Sequence, residues 1–140
     1  MKTKTIGALI LFSASCIPLL SGQDAGKAKA DWLAYIGTYS RPPSQGIYAW
    51  RLQPASGKLT PLGLAAETSN PSFLAVHPNQ RFLYAANEDR TGAISAFAID
   101  PANGRLKLLN QVPSRGSGPC HVAVDRSGLA TVTRGIRFLI

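Results

Sequence analysis

With 140 residues, 45% of them hydrophobic and 16% charged, the chain has the length of one domain at most and an ordinary globular composition. The net charge is +8, but after residue 30 it is +5, from 11 basic and 6 acidic residues that are scattered singly along the chain. No basic run is interleaved with aromatic side chains, which argues against nucleic acid as a partner.

Residues 1–30 have the pattern of an export signal. Lys2 and Lys4 form a positive start, and a largely apolar core follows over residues 6–20. This core is shorter than the roughly 20 residues that a membrane-spanning helix needs. A small-x-small cleavage site ends at Ala30. We therefore predict an exported protein, periplasmic or secreted, with no stable membrane span once the signal is removed.

Two cysteines bear on the compartment. Cys16 raises the alternative of a lipoprotein anchor, but the residues before it, Ser13-Ala14-Ser15, are a poor lipobox, and apolar residues follow it. After removal of the signal, Cys120 is the only cysteine. No intrachain disulfide is therefore expected, even in an exported protein.

The mature sequence is a series of short strand-like runs that stop at turn signals. Proline and glycine at these stops cannot continue a strand ladder, and Asn and Asp favour turns through their own side-chain hydrogen bonds. Strands this short, at regular spacing, indicate an all-β chain. The predicted strands span residues 31–39, 47–52, 59–65, 70–76, 81–86, 93–99, 106–112 and, opening a further repeat, 121–124.

The runs recur inside the chain. Residues 46–59 align with residues 93–106 at an offset of 47, and residues 70–76 align with residues 118–124 at an offset of 48. The apolar phase and the turn residues recur together in these alignments, which makes a chance repeat an unsatisfactory explanation. A period of this length with about four strands is typical of one blade of a β-propeller.

If the strands of one blade are labelled a to d, the chain begins with b, c and d, continues with a complete blade and then starts another a strand. Residues 31–128 thus correspond to about two blades, whereas a closed propeller needs about four to eight. Residues 129–140 lose the pattern, and we expect a frameshifted or truncated product of a longer gene, with a natural variant end as the alternative. The open sheet edges of such a product predict self-association.

These segments resemble the lactonase family of seven-bladed β-propellers, which includes bacterial 6-phosphogluconolactonase and fungal carboxy-muconate cyclase. The resemblance covers residues 32–128 and about the first third of a family member. It implies hydrolysis or formation of a sugar-acid or related lactone without a metal or another cofactor, and a small-molecule lactone or sugar acid as partner. The segments that carry the resemblance are residues 35–39, 46–48, 70–74, 82–88, 100–104 and 118–125.

The chain departs from the family after the last of these segments. Family members continue with a Val-Ala-Asn-Tyr-Gly-Gly stretch, which is absent here, and with later blades that would carry further charged site residues. We therefore expect the chain by itself to be an inactive N-terminal fragment of a lactonase that hydrolyses a sugar lactone such as 6-phosphogluconolactone. The alternative is a non-catalytic β-propeller that serves as a binding scaffold, because one fold hosts many functions.

Antiparallel strands bring the d–a and b–c loops to one end of a blade and the remaining loops to the opposite end. The first set is longer and more irregular, and such loops on a rigid scaffold usually carry the functional site. Strand a is innermost in a propeller, so residues that begin it are expected to face the central channel. The loops at this end span residues 40–45, 67–72, 87–91 and 114–121.

Two residues at this end are catalytic candidates. His121 begins an a strand and would act as general base toward the water that attacks a lactone carbonyl, or would protonate the leaving oxygen. A hydrogen-bonded structural histidine is the alternative. Glu88, at the end of a b strand, would orient a histidine or polarise water, and a simple turn carboxylate is the alternative.

Three residues are candidates for substrate binding. Arg115, on the d–a loop, would bind a carboxylate or phosphate through its forked donors, with a solvated surface arginine as the alternative. Tyr39 and Asn87 would form hydrogen bonds with the substrate. No metal site is predicted, because two histidines 44 residues apart, without cysteine or carboxylate spacing, do not form one.

Overall fold

The computed structural model describes residues 31–128, 130–132 and 136–138, and the predicted signal over residues 1–30 lies outside them. The described residues form strands and turns, and none of them belongs to a helix that is long and apolar enough to cross a membrane. The strands of the described residues are β1 (Trp32–Gly37), β2 (Gly46–Gln53), β3 (Lys58–Glu67), β4 (Pro71–Val76), β5 (Phe82–Asn87), β6 (Ala93–Ile99), β7 (Leu106–Pro113), β8 (Val122–Val124), β9 (Ala130–Val132) and β10 (Ile136–Phe138).

The strands form three separate antiparallel sheets, in which each strand pairs with its neighbours in sequence. Sheet 1 contains β1 to β3, sheet 2 contains β4 to β7, and sheet 3 contains β8 to β10. Sheet 2 is a complete four-stranded meander. The first strands of successive sheets lie side by side, β1 against β4 and β4 against β8, and β3 also contacts β7. This arrangement confirms the predicted all-β fold of stacked antiparallel blades.

The sequence repeat is also a repeat of backbone conformation. Gly57 and Gly104 end equivalent turns with φ of 70° and 75°, and each donates its N–H to a carbonyl oxygen 2.8 Å away at the start of the turn. Gln80 and Gly128, which lie 48 residues apart, have φ of 59° and 88°. A residue in the left-handed region therefore closes each turn, and glycine is favoured at such positions because it has no Cβ.

Sheet 2 is buried on both faces, because alternate residues of a strand point to opposite sides of its sheet. Burial of a side chain as large as Phe97 stabilises the fold by about 1.5–3 kcal/mol. The residues that pack sheet 2 against sheet 1 are Leu83, Ala85, Phe97 and Leu106 on one side and Ile47, Ala49 and Ala65 on the other. The residues that pack sheet 2 against sheet 3 are Tyr84, Ala86, Ile94, Ala96 and Val122.

Strands β9 and β10 lie within residues 129–140, where the sequence repeat is lost. Their backbones pair antiparallel, with Val132 opposite Ile136 and Ala130 opposite Phe138. The repeat pattern is thus not required for strand pairing here, because β-branched and aromatic residues favour strands in any context. The interpretation of this segment as an atypical tail stays a prediction.

Gly37 at the end of β1 lies against the main-chain carbonyl of Pro71 at the start of β4, where a methyl group would collide with backbone atoms. We expect Gly37→Ala to lower the free energy of unfolding by about 1–3 kcal/mol, the usual cost of overpacking. Urea unfolding measures this change. Gly116→Ala is the control, because its methyl group would meet nothing within 4 Å, and it should alter stability by less than about 0.5 kcal/mol. Equal effects would contradict the close approach of β1 and β4.

Candidate functional site

The predicted site residues gather at one end of the three sheets, as the antiparallel strand order requires. Tyr39 follows β1, Glu88 follows β5, and His121 directly precedes β8. We call this end the rim and define it as residues 38–45, 68–72, 87–92 and 114–121.

A hydrogen bond between Tyr39 and Glu88 joins sheets 1 and 2 at the rim. The Tyr39 hydroxyl donates to Glu88 Oε2 over 2.8 Å. The two residues occupy equivalent positions in successive blades, 49 residues apart, as do Tyr35 and Tyr84. A phenol–carboxylate bond of this kind is charge-assisted and stronger than one between neutral groups. The pair therefore links two neighbouring b–c loops.

This hydrogen bond shifts the pKa of both partners. The pKa of the Glu88 carboxyl falls below 4.5, first because of the Ser72 hydroxyl and second because of the Tyr39 hydroxyl. Ser72 Oγ is buried and has no well-aligned hydrogen bond, so we attribute its effect to proximity. The pKa of Tyr39 rises above 10.0, first because its hydroxyl donates to Glu88 and next because of that carboxylate's charge. At neutral pH Glu88 is an anion and Tyr39 is a neutral donor.

The two shifts define the pH range in which the pair stabilises the fold. Folding lowers the pKa of Glu88, so its contribution is present above pH 4.5 and is lost as pH falls through the lowered pKa. Folding raises the pKa of Tyr39, so its contribution is present below pH 10.0 and is lost as pH rises through the raised pKa. Tyr39 is exposed, so the contribution of the pair is small and is screened by salt.

His121 stacks on Phe73, its counterpart in the preceding blade 48 residues earlier. The ring centroids are 4.4 Å apart and the ring planes are inclined by 51°. Phe73 is 38% exposed in β4, and His121 is half-buried at the start of β8. The contact holds the imidazole against the wall formed by the innermost strands while part of it stays accessible. An imidazole so placed can accept or donate a proton near neutral pH.

Cys120 connects this stack to the Tyr39–Glu88 pair. It is the exposed neighbour of His121, and its thiol lies close enough to Tyr39 to raise the pKa of that phenol. Arg41 acts on the same phenol in the opposite direction. The carboxylate–phenol pair therefore lies beside the segment that carries His121.

Asn87 lies inside the protein rather than on the rim surface, with 1% of its surface exposed. Its Nδ2 donates to Thr68 Oγ1 over 2.8 Å and also to the Ser69 carbonyl, and its Oδ1 accepts the Ser95 hydroxyl over 2.6 Å. Gln111 extends the chain by donating to Ser95 Oγ over 2.9 Å. The amide thus anchors the d–a connection to sheet 2, and its role in substrate binding stays a prediction.

Arg115 is exposed on the loop between β7 and β8, and its backbone has φ of 54°. The loop is tied to the neighbouring b–c loop, because Ser114 donates its N–H to the Gly92 carbonyl over 3.1 Å and Gly118 donates to the Asp89 carbonyl over 2.9 Å. The guanidinium is therefore presented to solvent from an anchored loop. This position suits an anion-binding side chain, and the role itself stays a prediction.

The structure adds two residues that sequence reasoning missed. Ser72 approaches the Glu88 carboxyl, and Phe73 contacts His121. A signal for both was present, because the offset of 48 that selects His121 also selects Phe73, and it relates Ser72 to Cys120 in the same way. Residues of equivalent position in successive blades meet at the rim.

A cavity of about 550 Å³ opens at the opposite end from the rim, with Trp32, Tyr35 and Val76 among its lining residues. Burial raises the pKa of Tyr35 to about 12, and the charge of Asp100 adds to the effect, so this phenol does not titrate near neutral pH. None of the predicted site residues lines this cavity, and we therefore place the candidate site at the rim. Among the described residues, no three His, Cys, Asp or Glu side chains are grouped to hold a metal ion.

Sequence comparison extends these observations. The model of the family described as "Lactonase, 7-bladed beta-propeller" matches residues 33–133. Two curated relatives named 6-phosphogluconolactonase are 37% identical over 95 residues in Bacillus subtilis and 34% identical over 98 residues in Formosa agariphila. Each alignment covers 67% of this chain but only 27% and 28% of the two relatives, so the chain spans little more than a quarter of their length.

Comparison of structures agrees with the sequence match. The solved structure of a periplasmic gluconolactonase from Pseudomonas aeruginosa is similar to 73% of this chain, with 32% sequence identity and a TM-score of 0.66. The match covers 30% of that chain. The resemblance indicated by the sequence segments is thereby confirmed, and the three stacked sheets correspond to blades of a propeller.

Replacement of Glu88 tests the electrostatic link at the rim. We expect Glu88→Gln to lower the pKa of Tyr39 toward 10.0, because a neutral amide no longer favours the protonated phenol. Absorbance of tyrosinate in the near ultraviolet measures this, and Tyr39→Phe identifies which titration belongs to Tyr39. Glu67→Gln, at an exposed glutamate on β3, is the control and should leave the titration unchanged. An unshifted Tyr39 in Glu88→Gln would rule out the hydrogen bond in solution.

Proposed function

Because the chain belongs to the lactonase family of seven-bladed β-propellers, we propose that it hydrolyses a sugar lactone at the rim, with 6-phosphogluconolactone as the test substrate. The observation that carries this proposal is the grouping of a half-buried imidazole beside an ionised carboxylate–phenol pair. The names of the curated relatives support it.

The chemistry requires one base and one acid. A base takes a proton from water as the water oxygen attacks the lactone carbonyl carbon, and an acid protonates the ring oxygen as its bond to that carbon breaks. His121 performs both steps in this proposal: the neutral imidazole accepts the proton of water and the imidazolium returns it to the ring oxygen. Such acid–base catalysis contributes about 10²–10⁴-fold to a rate.

Glu88 and Tyr39 have a binding role in this scheme. The lowered pKa of Glu88 keeps it ionised at neutral pH, so it does not protonate the leaving oxygen. As an anion it accepts hydrogen bonds from sugar hydroxyls and polarises water. The Tyr39 proton is already donated to Glu88, so the phenol oxygen is left as an acceptor. The pair thus orients a polyhydroxylated substrate.

Arg115 supplies recognition of an anionic group. A guanidinium donates two parallel hydrogen bonds to a phosphate or carboxylate, which a lysine does not reproduce. Its exposed position on an anchored loop suits the phosphate of a phosphorylated lactone or the carboxylate of the product. Asn87 supports the rim from inside through its hydrogen bonds to Thr68 and Ser95.

The whole-protein activity is expected to need more of the ring than the described residues supply. The described sheets form part of a channel wall in a family of seven blades, and the chain spans little more than a quarter of its curated relatives. We therefore expect slow hydrolysis by the chain alone. We also propose that residues 1–30 direct export, and the similarity to a periplasmic gluconolactonase of Pseudomonas aeruginosa supports this.

Lactone hydrolysis by the purified chain, followed by the proton released above the spontaneous rate, tests the role of His121. We expect His121→Asn to lower the catalysed rate about 100-fold, because proton transfer is lost. His77→Asn is the matched control at the opposite end, where His77 Nδ1 accepts the Asn79 N–H over 3.1 Å and an asparagine oxygen can replace it. A folded chain that neither accelerates hydrolysis nor binds the lactone or its acid would refute the proposal and favour a non-catalytic binding scaffold.

A comparison of two substrates tests the role of Arg115. We expect Arg115→Gln to raise KM for the phosphorylated lactone roughly 10-fold or more, since a hydrogen bond to a charged group contributes about 1.5–3 kcal/mol. KM for unphosphorylated gluconolactone should stay unchanged. Arg126→Gln, in the exposed turn after β8, is the control. Equal changes in KM for both lactones would show that Arg115 does not recognise the phosphate.

A further inference from the structure

Asn70 lies at the centre of the rim and is bonded to three segments of the chain. Its Oδ1 accepts the Ser40 N–H over 2.9 Å, and its Nδ2 donates to Asp89 Oδ1 over 2.6 Å. Its main-chain N–H donates to Ser40 Oγ over 2.9 Å. Its carbonyl oxygen accepts the N–H of Ser72 over 2.8 Å and the N–H of Glu88 over 2.9 Å.

These partners belong to the surroundings of the Tyr39–Glu88 pair. Ser40 directly follows Tyr39, Glu88 is the carboxylate itself, and Ser72 makes the largest contribution to its lowered pKa. Tyr39 and Glu88 belong to different sheets and lie 49 residues apart in sequence. One residue therefore ties together both loops whose side chains form the pair.

The backbone and the side chain of Asn70 make separable contributions. Its φ of 41° lies in the left-handed region, which glycine adopts freely and asparagine tolerates. The equivalent residue of the next blade, 48 residues later, is Gly118, with φ of 58°. The turn itself therefore does not require an amide. What asparagine adds is the pair of side-chain hydrogen bonds to Ser40 and Asp89.

We propose that Asn70 is a positioning residue for the reaction, whose side chain holds the loops of Tyr39 and Glu88 at hydrogen-bonding distance and so sets the orientation of the substrate-binding pair. Its meaning for catalysis rests on the proposed function. The geometry that it maintains can be tested without any lactone.

The test uses Asn70→Gly, which keeps a residue suited to positive φ and removes only the side-chain bonds. The readout is the titration of Tyr39, a phenol on which Glu88, Cys120 and Arg41 act. We expect Tyr39 to titrate at lower pH in Asn70→Gly than in the wild-type chain, because the carboxylate no longer stays at its hydroxyl. A turn residue without a positioning role would not produce this shift in a folded chain.

Asn103→Gly is the matched control. Asn103 Nδ2 also donates to an aspartate, Asp100 Oδ2 at 2.7 Å, but in a turn at the opposite end from the rim. It should leave the Tyr39 titration unchanged. Amide hydrogen exchange of the wild-type chain requires no variant: the N–H groups of Ser40 and Glu88 should exchange at least about tenfold more slowly than in an unstructured peptide.

The outcomes separate this inference from the proposed function. In the lactone assay we expect Asn70→Gly to raise KM about tenfold while the pH profile of kcat, set by His121, is unchanged. If the wild-type chain hydrolyses no lactone, the proposed function fails while the Tyr39 titration still tests the positioning role. A folded Asn70→Gly chain that titrates like the wild type, or fast exchange of the Ser40 and Glu88 amides, would overturn the inference.

Discussion

Sheet 2 can bury its two apolar faces only if another sheet packs on each side, and the rest of the structure depends on that constraint. Phe97 faces one neighbour and Ile94 faces the other, although the two residues lie three positions apart on one strand. Stacked sheets lie about 10 Å apart, which sets the spacing of the loops at their ends. Long side chains such as those of Tyr39 and Glu88 can bridge that distance, whereas shorter ones cannot.

The rim combines an internal polar network with an exposed one. Asn87, Ser95 and Gln111 form a chain of hydrogen bonds below the surface that secures the connection into β4. Above it, Asn70 links the loops that carry Tyr39 and Glu88. A buried polar chain of this kind is stabilising when its groups are satisfied, because an unpaired polar atom there would be costly. The internal network therefore gives the exposed residues a fixed base.

The short strands, their four-stranded grouping and the end of the sheets that collects the long loops were all predictable from the sequence. Each follows from local rules of turn chemistry and antiparallel pairing. The contact between His121 and Phe73 was not predicted, because it depends on how one sheet stacks on the next. Asn87 illustrates a second limit, since a polar residue at a strand end has the same appearance in the sequence whether it binds a ligand or secures a loop.

The meeting of equivalent positions in successive blades has a consequence for how such a chain can evolve. A propeller that arises by duplication of one blade starts with the same residue on both sides of each junction. Two glutamates at the positions of Tyr39 and Glu88 would repel each other, and two tyrosines would lack the carboxylate acceptor. The attractive pair exists only after the copies have diverged, and a later change in one copy then favours a compensating change in the other. The junctions between blades are therefore where the history of such a chain separates its repeats most strongly.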